Sequence, residues 1–186
     1  MSRHLKDKME VHLNLACSMV HELRKQMKPK FIWKLDHFTK HRDLAKYGGK
    51  KFLTSLPFSA GPQGYKMQMT VYPNGAGLGE HTHLSLYANL VRGEYDAILP
   101  WPFKQEVTFT LIDQQVDPAE RKNIQFLMTP AIATHLSKNT FERPTDSNTG
   151  FGCPKFVSLE TLNTRRYVVD DTIFFHLDVD MLNPLV

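Results

Sequence analysis

The sequence predicts an all-β protein, an antiparallel sandwich of short strands with one helix in front of it. Three observations support this prediction. Apolar and polar residues alternate with a period of two in several segments after residue 30, and Gly, Pro and Asn clusters separate these segments. No apolar repeat of helical period follows residue 28, whereas residues 9–27 carry one. Seven or eight short strands with turns between them are typical of a two-sheet sandwich.

The leading helix is predicted by six apolar residues spaced alternately four and three apart, with no Gly or Pro before Pro29. This heptad spacing is typical of a coiled coil. A helix of about 25 residues is marginal alone in water, and an amphipathic helix packed on its own domain is the alternative. Because strand-like residues 31–35 follow Pro29 at once, little chain is left for folding back, and we favour the coiled coil. The predicted seam consists of Met9, Leu13, Ala16, Val20, Leu23 and Met27.

The first strands of the sandwich flank a polar connection. Residues 31–35 alternate as a strand does, and residues 37–51 are polar and basic, so we assign them to a connection that Gly48 and Gly49 close. Residues 52–58 form a further short strand with Pro57 near its end. Because proline cannot donate to a strand ladder, this strand is expected at a sheet edge or a bend.

The clearest strand pair lies between Gly64 and Phe103. Residues 65–72 alternate, and residues 84–91 alternate again. Between them, glycines at positions 75, 77 and 79 permit a tight reversal, because glycine tolerates backbone angles at which a Cβ would clash. We therefore expect these two strands to pair across a glycine turn.

Three further strands are expected towards the C-terminus, at residues 107–113, 150–157 and 172–180. Residues 123–145 are harder to interpret, because their apolar residues lack a clear period and Pro130 breaks any helix. We assign them to a loop that contains one short strand or turn.

Composition narrows the class of protein. The 186 residues are 41% hydrophobic and 23% charged, which is ordinary for a globular chain and excludes disordered, collagenous and membrane-spanning classes. No run approaches the roughly 20 apolar residues of a membrane helix. The two cysteines form no CxxC motif, which excludes zinc-finger and thioredoxin-like sites. These features predict a soluble, cytoplasmic protein.

The net charge of +4 is concentrated in the leading segment. Residues 1–30 hold seven of the 23 basic residues and three of the 19 acidic ones, so the remainder contains equal numbers of both signs. A basic nucleic-acid-binding face on the main domain is therefore not expected. Contact of the basic leading helix with a membrane surface is a further hypothesis.

The sequence offers little that predicts catalysis. His81 and His83 are the one close histidine pair, and no third ligand has convincing spacing for a metal site. Asp178 and Asp180 share one face of the last strand, where solvated carboxylates are expected. No nucleophile elbow, P-loop, HExxH or reactive Cys–His spacing occurs. We therefore predict no catalytic residue, no metal, no cofactor and no enzymatic activity.

Ten ordered motifs carry a family resemblance between about Phe31 and Val179. They are FIWKL (31–35), GYK (64–66), YPNG (72–75), THLSLY (82–87), GEYD (93–96), LPWPF (99–103), LIDQ (111–114), FERP (141–144), GFGCPKF (150–156) and YVVDD (167–171). Together they resemble the C-terminal domain of the tumour necrosis factor receptor-associated factors, the TRAF or MATH domain. The fourth family member's branch looks most similar, with the sixth as the alternative.

The resemblance implies an eight-stranded antiparallel sandwich over residues 30–186, preceded by a trimerising coiled-coil helix over residues 1–29. It implies a homotrimer in which each domain binds an extended receptor-tail peptide in a shallow groove along a sheet edge. Backbone pairing then supplies affinity, and side-chain pockets supply sequence choice. The family's ubiquitin-ligase RING would lie N-terminal to this chain.

The resemblance also implies the positions of a peptide site. Several family members use an arginine and a tyrosine two apart on one strand, and this chain has Thr70 and Tyr72 there. The family's Asp-Gly pair after the turn is Ala76-Gly77 here, and Cys153 replaces the tyrosine that follows the sixth member's Gly-Phe-Gly. The implied peptide-binding residues are Thr70, Tyr72, Ala76, Gly77, Tyr87, Phe141, Gly150, Phe151, Gly152 and Cys153.

The function implied is that of a trimeric cytoplasmic signalling adaptor. Its expected partners are receptor cytoplasmic tails, two further copies of the chain and other signalling adaptors. Because the arginine is missing, we expect a peptide preference that diverges from the family's usual acidic one. The alternative is a MATH-type substrate-recognition module of a ubiquitin ligase.

Overall fold

The computed structural model describes residues 8–9, 11–19, 30–130, 133, 136–145 and 148–180. Residues 8–9 and 11–19 are helical, and their side chains are exposed in the single chain. The predicted seam residues Met9, Leu13 and Ala16 lie on this helix. Val20, Leu23 and Met27 lie outside the described residues. The coiled coil itself stays a prediction.

The rest of the described chain is an antiparallel sandwich of two sheets, which confirms the predicted fold class. One sheet has the order β1-β9-β6-β7, and the other has the order β2-β4-β5-β8, with β3 also paired to β4. The nine strands of the described residues are β1 (Lys30–Leu35), β2 (Leu53–Thr54), β3 (Phe58–Ser59), β4 (Lys66–Tyr72), β5 (His83–Leu90), β6 (Glu106–Leu111), β7 (Ile124–Met128), β8 (Phe151–Ser158) and β9 (Ile173–Asp180).

The difference from the expected seven or eight strands arises around Pro57. The single strand expected there is two short ones, β2 and β3, on either side of the proline, and both pair with β4. Proline lacks the N–H that a continuous ladder needs, so the chain leaves the sheet and returns to it. The strand expected within residues 123–145 is β7, which pairs with β6.

One helix contradicts the expectation of a polar connection at residues 37–51. Helix α1 (Phe38–Lys46) occupies that segment and buries Phe38 and Ala45. Its first turn is capped from a distant part of the chain, since the Phe38 and Thr39 amides donate to the carbonyl and carboxylate of Asp171 at 2.9 and 2.8 Å. The hydrogen bonding of Thr39 to the Asp171 carboxylate lowers the pKa of that carboxyl group. Because the cap is non-local, no signal for it lies next to the helix in sequence.

The core lies between the two sheets and follows the predicted alternation. The inward residues of β4, β5 and β9 are all buried, whereas those of β1 are only partly so. The fully buried inward set of the three strands is Met67, Met69, Val71, Leu84, Leu86, Ala88, Ile173, Phe175 and Leu177. The period-two prediction for these strands is therefore confirmed.

The turn between β4 and β5 requires its glycines. Gly75 has a φ of 78°, and a Cβ there would clash with the Gly79 and His83 carbonyls. The reversal ends in the short 3-10 turn Gly77–Gly79. Just before this 3-10 turn, the Ala76 amide donates to the Ser85 hydroxyl at 2.9 Å, which holds the turn against β5. The expected glycine hairpin is confirmed, and the turn lies beside the outer face of the sheet.

Candidate functional site

An open groove of ≈ 660 Å³ lies on the outer face of the five-stranded sheet. Its floor is made by outward side chains of β4 and β5, and one wall comes from Thr145, Asn148, Thr149 and Gly150. The alternation that buries Met67, Met69 and Val71 turns the residues between them outward, so the core pattern itself supplies the floor.

Five of the ten predicted peptide-binding residues line this groove: Thr70, Tyr72, Ala76, Tyr87 and Gly150. The strand register explains their convergence, since Thr70 lies opposite Tyr87 on the paired strand. Side chains directly opposite on one face of a sheet lie about 4.5–5.5 Å apart at Cβ. Residues 17 apart in sequence are thereby brought into one surface.

The other five predicted residues do not line the groove. Gly77 lies in the turn, Gly152 pairs with Tyr87 from β8, and Cys153 is half-buried next to it. Burial raises the pKa of the Cys153 thiol. The absence of a Cβ at Gly152 matters for packing, because a Cβ there would clash with the Leu86 carbonyl of β5.

Phe151 is the clearest departure from the expected site. Its side chain is fully buried, with ring centroids 5.2 Å from Phe141 and 6.1 Å from Phe103. Residue 151 alternates with Gly152 along β8, and the inward position belongs to Phe151. The structure therefore places Phe151 in the core and the half-buried Phe141 against it, behind the groove floor.

Three aromatic rings form a ladder across the groove. The Tyr72 ring lies 5.4 Å from the Phe52 ring and 5.7 Å from the Tyr87 ring, in tilted and edge-to-face arrangements. Phe52 is 41% exposed, although its ring contacts that of Tyr72. Burial raises the pKa of the Tyr87 hydroxyl, and the nearby Tyr72 and Cys153 raise it further. The ladder presents apolar ring surface to solvent.

Uncharged polar groups lie beside the ladder. Gln68 and Asn89 face each other across the β4–β5 pair, and the Thr70 hydroxyl donates to Asn89 Oδ1 at 3.4 Å. Gln68 Nε2 donates to the Ser55 carbonyl at 2.7 Å, which fixes the orientation of that amide. Among the described residues that line the groove, Arg92 is the one that carries a formal charge.

Sequence reasoning missed Phe52, Gln68 and Asn89 as groove residues. For Gln68 and Asn89 a signal was present, because both occupy the same outward positions as Thr70 and Tyr87 in their strands. No local signal existed for Phe52, which reaches the groove because β2 pairs with β4.

The histidine pair does not form the two-ligand face that a strand would give it. His81 has a φ of 65° and precedes β5, and its Nδ1 lies 2.9 Å from Asn74 Nδ2. The His83 ring instead contacts the Thr82 hydroxyl at 2.8 Å. Across the described ranges, no group of three or more His, Cys, Asp or Glu residues is arranged to hold a metal ion.

Comparison with known proteins identifies the family. A family model described as TRAF/meprin, MATH domain, matches residues 50–176. The chain belongs to the TRAF/meprin MATH domain family.

Individual TRAF-family proteins resemble the chain over most of its length. TNF receptor-associated factor 1 of Mus musculus is 40% identical over 153 residues, which cover 81% of this chain and 36% of that protein. TNF receptor-associated factor 5 of Mus musculus is 33% identical over 185 residues, covering 94% of this chain and 32% of that protein. A TRAF5 structure from Notothenia coriiceps superimposes with a TM-score of 0.76 at 35% identity, covering 98% of this chain and 93% of that one.

The chain thus spans about a third of the length of the curated relatives it matches. The predicted family is confirmed. The assignment to the fourth-member branch, with the sixth as the alternative, stays a prediction. A search of the described helices for one long and apolar enough to cross a membrane finds none.

Proposed function

We propose that this chain is the receptor-binding and assembly region of a cytoplasmic signalling adaptor. The single observation that supports this most directly is the groove on the five-stranded sheet, which contains five of the positions implied by the TRAF resemblance. The names of the relatives, TNF receptor-associated factors, support receptor tails as the partner.

A peptide would bind by joining the sheet at β8. In the described part of the chain β8 stands at the end of the five-stranded sheet, next to β5. An extended segment that pairs with the free edge of β8 obtains backbone hydrogen bonds there, and its side chains reach over Gly152 towards Tyr87. Because Gly152 has no Cβ, β8 packs closely on the β5 backbone at this point.

Tyr72→Ala tests this site. The Tyr72 ring contacts both other rings of the ladder, so its removal should weaken binding of receptor-tail peptides about tenfold or more. The matched control is Tyr47→Ala, which removes a 75% exposed tyrosine that follows α1, away from the groove. Peptides selected on an array of receptor tails would be titrated by fluorescence anisotropy. Equal affinities for the two variants would place the peptide elsewhere.

We further propose that residues 1–29 form a trimerisation stalk and residues 30–186 the binding domain. The helix exposes Met9 and Leu13, at 62% and 65%, which is costly for apolar side chains unless other chains cover them. Trimerisation also suits the function, because clustered receptor tails then gain about 10² or more in avidity over a single site.

Leu13→Glu should convert the trimer to monomers, because it places three carboxylates at one layer of the seam. The control is Leu15→Glu, since Leu15 lies off the seam and is 58% exposed. Light scattering at tens of micromolar distinguishes three chain masses from one. A wild-type chain that is monomeric at this concentration would contradict the stalk.

The alternative function is a MATH-type substrate-recognition module of a ubiquitin ligase. The observation in its favour is that the family match begins at residue 50 and does not include the helix. Such a module would use the same groove to bind degradation-signal peptides, without a trimeric stalk. The light-scattering measurement therefore separates the two functions.

A further inference from the structure

Strand β7 ends the four-stranded sheet and is paired on one side. In the order β1-β9-β6-β7 it pairs with β6, and among the described residues no other strand lies beside it. An open strand edge carries backbone N–H and C=O groups that can pair with another strand. None of the described β7 residues lines the groove of the five-stranded sheet, so this edge is a separate surface.

The strand register shows which backbone groups of β7 face the open edge. The Ile112 amide donates to the opposite Phe174 carbonyl at 3.1 Å, so even-numbered residues of this strand direct their backbone groups towards β9 and odd-numbered ones towards β7. The odd-numbered β6 residues lie opposite even-numbered β7 residues. The backbone groups of Gln125 and Leu127 therefore point outward, and within the described ranges they make no hydrogen bond.

Strand β7 lacks the features that protect other strand edges. Charged side chains, proline and very short strands hinder edge-to-edge pairing. At the opposite end of the same sheet β1 carries Lys30 and Lys34, and β2 and β3 have two residues each. Strand β8 is the edge at which we propose that a peptide binds. By contrast, Ile124–Met128 contains neither a charge nor a proline, and Leu127 is 55% exposed.

A second copy of β7 matches this edge when the two strands pair antiparallel about Phe126. In that register Gln125 lies opposite Leu127 of the second copy, and the two such pairs exchange about four backbone hydrogen bonds in all. Phe126 then lies opposite its own copy, and Ile124 lies opposite Met128. Aromatic and aliphatic cross-strand pairs of this kind stabilise antiparallel strands.

The charges that flank β7 are compatible with this pairing. Lys122 precedes the strand and Pro130 follows it. In the register centred on Phe126, Lys122 falls at the level of Pro130 of the second copy, so the lysines of the two copies stay apart. The edge is therefore complementary to itself in hydrogen bonding, apolar contact and charge, as a two-fold interface requires.

We infer that β7 is a self-association edge, at which two copies of this chain pair antiparallel through Gln125 and Leu127 and join their four-stranded sheets into one. The contact is small, so the association is weak and transient. Clustering of the chain raises its local concentration and strengthens such a contact. The inference goes beyond the proposed function, because it uses neither the groove nor the leading helix.

Sedimentation equilibrium of the full chain tests the pairing. Because small interfaces dissociate at micromolar to millimolar concentrations, the weight-average mass should rise by about half or more between about 10 µM and about 1 mM. Hydrogen exchange resolved by residue should show the Gln125 and Leu127 amides protected at the higher concentration alone. The Phe126 amide, which faces β6, should be protected at both concentrations and serves as the internal reference.

Two substitutions and a control locate the contact. Leu127→Lys should remove the rise in mass, because an edge lysine blocks strand pairing, and the fold should be retained because the side chain is exposed. Gln125→Glu combined with Leu127→Lys should restore the rise, because each glutamate then lies opposite a lysine of the second copy. Leu56→Lys is the matched control, since Leu56 is 84% exposed between β2 and β3 and should leave the rise unchanged.

A mass that does not change with concentration would overturn the inference, as would equal effects of Leu127→Lys and Leu56→Lys. Protection of the Gln125 and Leu127 amides at both concentrations would also overturn it, because the edge would then be covered without the second copy. Failure of the double variant to associate would contradict the antiparallel register. Protection by added uncharged decapeptides, but not by more of the chain, would assign the edge to a foreign strand. None of these results bears on peptide binding in the groove, which is tested separately.

Discussion

Phe151→Ala is expected to lower the free energy of unfolding by about 3–5 kcal/mol. The ring is fully buried and packs against the rings of Phe103, Phe109 and Phe141, with centroid separations of 6.1, 6.4 and 5.2 Å. Its removal leaves a cavity between the sheets that a rigid β-sandwich cannot close by collapse. Urea unfolding monitored by tryptophan fluorescence measures the change.

Phe52→Ala provides the matched control for the core substitution. Phe52 is 41% exposed and contacts Tyr72 at the surface, so the same truncation should cost less than about 1 kcal/mol. If the two variants lose similar stability, Phe151 is not in the core. Peptide affinity should be measured below the unfolding transition, so that loss of fold is not mistaken for loss of binding.

Arg165→Met is expected to destabilise the fold by about 3–5 kcal/mol, because it leaves a buried carboxylate without its counter-charge. The Asp113 side chain is fully buried, and Arg165 Nε donates to its Oδ2 at 2.5 Å. The Lys122 amide donates to the same oxygen at 3.0 Å, and Arg165 also reaches the Glu120 carbonyl. This pair ties the loop after β6 to the segment before β9.

The stability that Arg165→Met loses should depend on pH in a defined direction. Burial raises the pKa of Asp113, but the Lys122 amide and the Arg165 guanidinium outweigh it, and the net effect is a lowered pKa. A carboxyl with a lowered pKa stabilises the fold above its ordinary pKa, and that contribution is lost as pH falls through the lowered value. Without Arg165 the pKa should rise, so the stability gap between wild type and variant should narrow towards acid pH.

The control for this substitution is Lys51→Met. Lys51 lies 3.5 Å from Glu80, and both side chains are well exposed. Exposed ion pairs contribute about 1 kcal/mol or less, so the free energy of unfolding should change little at any pH. An Arg165→Met variant as stable as Lys51→Met at neutral pH would show that the buried pair does not stabilise the fold.

The fold was predictable where the sequence contains a local period. Met67, Met69 and Val71 alternate with Gln68, Thr70 and Tyr72, and the alternation alone assigns one set to the core and the other to the surface. Helix α1 was missed for a physical reason. Its first amides are capped by Asp171, 132 residues from Thr39, and it buries just two apolar residues, so few apolar positions mark it in the sequence.

The candidate site was predictable where neighbouring positions follow from strand pairing. Thr70, Tyr72 and Tyr87 were found because the family motifs and the hairpin both place them outward on β4 and β5. Phe151 was expected at the site because of the family resemblance, whereas the structure buries its side chain in the core. Its inward direction is fixed by the pairing of Gly152 with Tyr87 across β5 and β8.

Photo-crosslinking would show whether a receptor-tail peptide occupies the groove on the five-stranded sheet. Peptides chosen on the receptor-tail array would carry a benzophenone group at successive positions, and crosslinked residues would be located by mass spectrometry. Occupancy of the groove predicts crosslinks to β4, β5, β8 and the residues Thr145, Asn148, Thr149 and Gly150, which contribute to the groove and its edge. Crosslinks confined to α1 or to the four-stranded sheet would contradict it.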